Sequence, residues 1–330
     1  MTRRHALLAA LLSAVSLGAP LAAQTTVPAA AVPTPPPLPK GVPPFEVAQY
    51  NSFTWYGRFG FSNCAFVDMG DGVLVIDTGW TKADGENLKA QIRERTKGKP
   101  VKWIAMTQTD IDVNGGIEAF LPTDATIFVN ARAADVLAGG VFAPAPGRKA
   151  PTVVGVVDHL VVRAGERRLE LLAAPAPAHS EHDLVVLCND NGLAFVGDLV
   201  TPGRCPNLLG PSSDPKTWMQ MLEGIRKASP AGLVSTRGDP TRLVFQELEA
   251  TRLYLERVTG FLAEQKQKDA PEARVAAELT LQKIVDYCPL PSDNANVLAL
   301  YRRLQPDGTF AQPTAAGAAK AAPKPAASPR

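Results

Sequence analysis

The chain has 330 residues, 45% of them hydrophobic and 20% charged, with a formal net charge of +2. That length carries one large domain or two modest ones with a real core. A charge so near zero, with Lys and Arg scattered, excludes the concentrated basic face that nucleic-acid phosphates require.

In chain order, Arg3 and Arg4 precede a small-residue apolar run from Ala6 to Ala23 that ends in Leu21-Ala22-Ala23. Residues 1–23 therefore read as a secretory signal peptide. The run is broken at Gly18-Ala19-Pro20 and is short for a membrane span. No later segment is apolar for long enough to cross a bilayer. The expectation is a periplasmic or secreted protein with no membrane insertion after signal cleavage. Residues 24–44, with VPTPPPLPKGVPP, are an extended Pro-rich linker. Residues 45–305 hold the folded unit with helices at its C-terminal end. Residues 306–330, Ala/Pro/Lys-rich from Thr314, read as a disordered tail.

Within the folded unit, Thr54–Phe61, Cys64–Asp68 and Val73–Ile76 are strand patterns, the last two joined by an Asp71-Gly72 turn. Lys82 to Lys97 is a charged amphipathic helix with Leu88 and Ile92 in register. Lys102–Met106 is a buried strand running into MTQTDIDVNGG (Met106–Gly116). Gly115–Leu121 begins a helix, Thr126–Val129 is a strand and Ala131–Leu137 a helix. Four short strands follow, at Asp158–Val162, Leu169–Leu172, Leu184–Cys188 and Leu193–Val196. Pro215–Lys227 is a helix capped by Ser213 or Asp214, with Trp218, Met219, Leu222 and Ile225 on one face. Gly232–Ser235 closes the strands. Arg242–Lys268 is a long helix with Leu243, Phe245, Leu248, Leu253, Val258 and Leu262 apolar. Strand–helix alternation of this kind is the α/β signature.

Four cysteines in an exported chain make disulfides possible. Cys64 and Cys188 sit in apolar strand runs and read as buried free thiols. Cys205 and Cys288 each precede Pro in a loop and are the preferred pair; a thiolate metal ligand at Cys205 is the lesser alternative.

Five landmarks then carry a resemblance: SNCAFVDMGDGVLVIDTGW (Ser62–Trp80), MTQTDIDVNGG, AHSEHDLVVL (Ala178–Leu187), GLAFVGD (Gly192–Asp198) and LVSTRGDP (Leu233–Pro240). Their order resembles the metallo-β-lactamase fold. The resemblance spans about Ser52 to Glu264 and implies a four-layer αββα sandwich. The family's loop is H-x-H-x-D-H, followed by a His, an Asp and a final His that together hold two metal ions. Carried over by position, Gln108 and Asp110 stand where the first two histidines belong, Asp112 is kept, and Val113 replaces the adjacent histidine. His179 and Asp198 are kept, and Arg237 replaces the final histidine.

Neither Val113 nor a guanidinium can ligate a cation. The resemblance sets Arg237 in the second metal's place beside Asp112 and Asp198, as an electrostatic substitute. Gln108, Asp110, His179 and Asp198 remain as N and O donors for at most one divalent ion, zinc first, or for none. Without a metal, clustered carboxylates raise one another's pKa and take up a proton. Asp112 is the remaining catalytic candidate. Arg237 is also a candidate grip for a small anionic molecule or a protein segment, if it points into an open cleft.

Other constellations carry less. His182, followed by a strand, reads as exposed or as a hydrogen-bonding support; His159 reads as a core or edge histidine. Ser180 adjoins His179 in sequence, which is poor triad geometry. Asp77 in a single DTG cannot supply the paired carboxylates of an aspartic protease and caps a turn beneath the site. The function expected is a non-catalytic or weakly active homologue of metallo-hydrolases. The alternative is a mononuclear metal-dependent hydrolase acting on an ester, thioester or lactam-like bond.

Overall fold

The computed structural model describes residues 46–60, 62–144, 146, 149–190, 192–206, 212–279 and 295–311, all within the unit Val32–Arg330. The expected signal peptide and linker, the tail beyond 311 and Cys288 lie outside the described residues.

Seven strands lie side by side in chain order: β1 (Val47–Asn51), β2 (Thr54–Phe59), β3 (Ser62–Asp68), β4 (Val73–Ile76), β5 (Val101–Ala105), β6 (Thr126–Asn130) and β7 (Thr152–Val156). The first four pair antiparallel and β4 through β7 pair parallel. A second sheet holds β8 (His159–Ala164), β9 (Arg167–Ala173), β10 (Leu184–Cys188), β11 (Leu193–Phe195) and β12 (Gly232–Val234), in the order β12-β11-β10-β9-β8. It is antiparallel except for the β11–β12 pair.

Alternation along the strands sorts side chains to two faces. Val67, Leu74, Ile76 and Phe128 of the first sheet meet Leu169, Leu171, Val186 and Phe195 of the second in one buried cluster. On the outer face of the first sheet, Phe66, Val75 and Ile104 pack against α1 (Lys82–Arg95) and α3 (Ala131–Gly139) through Leu88, Ile92 and Leu137. On the far side, Val185, Ala194 and Leu233 pack under α4 (Pro215–Ala228), α5 (Val244–Gln267), α6 (Glu272–Glu278) and α7 (Ala295–Arg303). The result is helix, sheet, sheet, helix, the architecture expected.

Local chemistry fixes the helix starts. Thr81 and Asp84 form a reciprocal capping box at α1. Asp214 rather than Ser213 caps α4, accepting from the N–H groups of Lys216 and Thr217 ahead of Pro215 at the first turn.

Some expectations shift. Strands β1 and β7 went unread; β7 follows a Pro-rich stretch that hides its TVVGV pattern. The helix expected from Gly115 is a 3₁₀ segment (Gly115–Phe120) after a short α2 (Ile111–Asn114). On α4, Met221 is buried and Met219 only partly so. Of the apolar residues on α5, Leu248, Val258 and Leu262 face the core, whereas Leu243 and Phe245 are 56% and 62% exposed; Tyr254 and Leu255 are also buried. Residues 306–311 are not loose: Leu304 and Phe310 form a β-bridge, and the Ala311 N–H donates to the Arg303 carbonyl.

Candidate functional site

The carboxyl ends of β4, β5, β11 and β12 and the amino end of β10 all reach one edge of the sandwich. From there the loops deliver Asp77, Gln108 to Asp112, His179, Asp198 and Arg237. Loops on a rigid sheet edge are where an α/β scaffold builds its sites.

Close backbone packing shapes the MTQTDIDVNGG loop. The N–H groups of Thr78 and Gly79 donate to the Val113 carbonyl, and the Gly116 N–H donates to the Gly79 carbonyl. A Cβ on Gly115 would lie 1.9 Å from the Trp80 carbonyl oxygen, and one on Gly116 would lie 2.0 Å from that of Thr78. Only glycine fits at either position. Asp77 ties the loop from beneath, accepting from the Thr107 N–H at 2.8 Å, the Thr107 hydroxyl at 2.7 Å and Asn114 Nδ2 at 2.8 Å. Burial raises its pKa to about 7 against the pull of those donors. The turn-capping role expected for Asp77 is what its geometry supplies.

Above it, one amide links two site residues. Gln108 Nε2 donates to Asp198 Oδ2 at 2.9 Å, and Gln108 Oε1 lies 3.2 Å from His179 Nδ1. The other oxygen of Asp198 accepts from the Thr236 hydroxyl and lies 3.3 Å from Arg237 Nε. Arg237 Nη2 donates in turn to Asp112 Oδ2. Burial works to raise the Asp198 pKa, but Arg237, His179, Thr236 and Gln108 outweigh it and hold the carboxyl below its usual range. Burial likewise opposes the charge on Arg237, and Asp198 and Asp112 overcome it and raise the guanidinium pKa.

The two arms of Arg237 are unequal. The Asp198 side chain is 6% exposed and that of Asp112 is 40% exposed. Water screens the second arm, so the first carries most of the interaction. Arg237 thus turns inward on both carboxylates, the arrangement in which it fills the pocket. Asp112, the expected catalytic residue, is engaged by that same guanidinium.

His179 is buried, its backbone carbonyl accepts from the Ser213 hydroxyl at 2.6 Å, and its ring stands edge-on to Trp218 with centroids 5.2 Å apart. Its Nε2 is buried without a hydrogen-bond partner. Asp110 is exposed at the mouth of the site. Partial desolvation raises its carboxyl to about 6; His179 opposes that rise, and Asp112, Asp183 and Asp198 add to it.

These residues do not fit a metal cage. Gln108 and Asp198 are tied to each other, Asp198 and Asp112 to Arg237, and Val113 is buried with no donor to offer. Among the described residues no three His, Cys, Asp or Glu side chains are grouped as ligands. The expected quartet of Gln108, Asp110, His179 and Asp198 shares a neighbourhood, and one orphaned imidazole nitrogen does not make it a coordination sphere.

The remaining candidates fall into place. Cys205 is disulfide-bonded, which removes it as a thiolate ligand, and Cys64 and Cys188 are buried free thiols as expected. His182 is buried, not exposed, with Nδ1 2.8 Å from the Thr109 hydroxyl, and burial lowers its pKa. His159 lies on the edge strand β8, 2.9 Å from Glu170. The Ser180 hydroxyl donates to Asp183 at 2.9 Å and not to a histidine, so no triad forms.

Sequence reasoning missed Thr236, Asp183, Asn114 and Ser213, all of which hold site residues in place. Thr236 was findable as the hydroxyl residue immediately preceding Arg237. Nothing local marked Ser213 or the tie from Asn114 to Asp77, whose partners lie 34 and 37 residues away, whereas Asp183 stands four residues after His179 within the same landmark.

Residues 57–239, more than half of the chain, match the family model described as the metallo-beta-lactamase superfamily. No curated relative matches the chain in sequence. Among solved structures, a metallo-beta-lactamase from Pontibacter korlensis is 23% identical with a TM-score of 0.54, covering 64% of this chain and 99% of its own. TMB-1 is 20% identical with a TM-score of 0.55, covering 66% of this chain and 99% of its own. The stereoselective inverting sec-alkylsulfatase Pisa1 from Pseudomonas sp. is 15% identical with a TM-score of 0.63, covering 78% of this chain. This chain spans 50% of that sulfatase's length. At such identities the likeness is one of fold.

Proposed function

The chain belongs to the metallo-β-lactamase superfamily, and from that premise we propose that it is a non-catalytic or at most weakly active homologue of metallo-hydrolases. In this reading an internal network has taken over the place of the metal centre. The observation that carries it is the connected set His179–Gln108–Asp198–Arg237–Asp112, with Thr236 at its middle. A divalent ion neutralises carboxylates and holds loops together. Here one guanidinium and one amide do both, because a buried carboxylate demands either a cation or donors. The inward turn of Arg237 supports a structural role for it.

One observation favours the alternative, a mononuclear metal-dependent hydrolase of an ester, thioester or lactam-like bond. His179 Nε2 is buried and unpartnered, and an ion there would satisfy it. That reading requires Gln108 to release Asp198 and Asp110 to swing inward. Its metal would serve to acidify a bound water, with chemistry blunted by oxygen donors.

Export to the periplasm or beyond is part of the proposal. It is supported by the signal-like residues 1–23 and by the disulfide at Cys205, a bond that persists in oxidising compartments.

The deciding experiment is elemental analysis of protein purified from its native compartment, with zinc, manganese and iron quantified, beside hydrolysis assays on a chromogenic ester, thioester and lactam. Folded, metal-free protein without turnover is expected. Stoichiometric metal that disappears in His179→Ala and Asp110→Ala would establish the alternative.

A further inference from the structure

A buried polar atom that makes no hydrogen bond calls for a reason, and a missing ligand is one. His179 carries such an atom: its side chain is 6% exposed, and Nε2 has no partner among the described residues. The network fixes where the ring holds its proton. Asp198, paired with Arg237, only accepts, so the Gln108 amide nitrogen faces it and Oε1 is left facing His179 Nδ1. Asp183 Oδ1 lies 3.8 Å from the same Nδ1. Two acceptors there place the proton on Nδ1 and leave Nε2 a bare lone pair. The neighbouring groups are acceptors too. The exposed Asp110 carboxylate, on which His179 acts more strongly than any other charged group, makes no hydrogen bond or ion pair among the described residues. Asp112 is 40% exposed and gives only Oδ2 to Arg237, which is itself occupied by Asp112 and Asp198.

We propose that the mouth of this site binds a small primary amine as its ammonium ion. A site built from acceptors, with three carboxylates facing one guanidinium, selects a ligand that is cationic and donates hydrogen bonds. An ammonium group offers three N–H donors and no acceptor. Its donors serve His179 Nε2, Asp110 and the free oxygen of Asp112. They leave intact the Gln108–Asp198 and Arg237 contacts that a metal ion would have to displace. Asp110, held by no side-chain bond, is the group that moves aside to admit it. The proposal rests on the metal-free reading above and names the ligand of that same site.

The test is titration calorimetry on chelator-treated mature protein with n-butylammonium, and with tetramethylammonium at the same ionic strength. Butylammonium should bind with a Kd on the order of 1 mM, within reach of so small a ligand. Tetramethylammonium has the same charge but no N–H, and should bind at least about tenfold more weakly. His179→Phe keeps a flat ring against Trp218 and removes the acceptor, and Asp110→Asn removes the charge; each should raise the Kd at least about tenfold. Imidazole nitrogen resonances of the wild type need no variant: His179 Nε2 should be unprotonated in the free protein and shift as butylammonium is added. No binding up to about 50 mM, equal binding of the two ammonium ions, or a proton on Nε2 in the free protein overturns the proposal. Stoichiometric metal in protein from its native compartment would instead overturn the metal-free reading, and the chelator treatment keeps the two failures distinguishable.

Discussion

The guanidinium of Arg237, on the loop after β12, reaches the carboxylate of Asp112 on α2, 125 residues earlier in the chain, while its Nε faces Asp198. One side chain thereby ties together loops from both sheets.

Removing that tie should cost stability chiefly through its buried arm. Arg237→Ala leaves Asp198 with Thr236 and Gln108 but no compensating charge, and should destabilise the fold by about 3 kcal/mol. Asp112→Asn severs the exposed arm and should cost less than about 1 kcal/mol. Adding Asp198→Asn to Arg237→Ala should recover part of the loss. Urea denaturation resolves these differences; equal costs for the two arms would contradict the assignment.

Gln108 should be irreplaceable by its acid. In Gln108→Glu the donor to Asp198 is lost and a second carboxylate faces the first. The pair holds a proton in the native state that the unfolded chain gives up, so stability falls as pH rises from about 4 to 7. Wild-type and variant urea midpoints should converge near pH 4 and separate towards neutrality. Parallel pH profiles would show that the amide is not bridging.

Asp77 offers a separate pH test. Burial raises its folded pKa from the ordinary 3.8 to about 7, so the native state binds the extra proton between those values. Its contribution is therefore favourable at low pH and is lost as pH rises through 7. Asp77→Asn keeps the shape, accepts from Thr107 and Asn114, and donates to the Thr107 hydroxyl where the carboxyl proton would. Asparagine also tolerates the local φ of 57°. Relative to wild type, the variant should gain stability from about pH 4 to pH 7, by no more than about 4 kcal/mol. A difference that does not change with pH would mean the donors keep Asp77 ionised throughout.

Gly115→Ala should be among the most damaging small changes in the protein. The new methyl would sit 1.9 Å from the Trp80 carbonyl oxygen, a backbone atom that cannot swing aside as a flexible side chain would. A loss of more than about 3 kcal/mol, or failure to fold, is expected. Gly139→Ala, with nothing within 4 Å of its added Cβ, should be neutral or mildly stabilising in the same thermal melts.

Restoring imidazoles should restore metal. Gln108→His, Asp110→His, Val113→His and Arg237→His together, with Asp112, His179 and Asp198 retained, should bind about two zinc ions per chain. Uptake measured by elemental analysis alongside the parent checks this. A folded quadruple variant that takes up nothing would show that these positions do not converge.

Much was readable residue by residue. The DGVLVIDTG run gave a buried strand and its turn, Trp218, Leu222 and Ile225 gave the α4 face, and the five ordered landmarks gave the sandwich. Strand β7 escaped because its pattern is five residues long and follows prolines. Phe245 reads only as one apolar residue of the long helix, and its 62% exposure could not be foreseen, because periodicity cannot tell which apolar residues outlast the neighbouring element. At the site, residue types alone set limits: Val113 cannot ligate, and Arg237 can only repel a cation or replace one.

The sequence by itself determined the layered architecture and placed at positions 113 and 237 side chains that cannot donate to a cation, because hydrophobic period and ligand chemistry are properties of each residue. Tertiary structure alone decided that Gln108 joins His179 to Asp198, that Arg237 points inward, and that His182 is buried against Thr109. Those contacts link loops separated by 39 to 125 residues. Their directions follow from how two sheets pack, which no local pattern encodes.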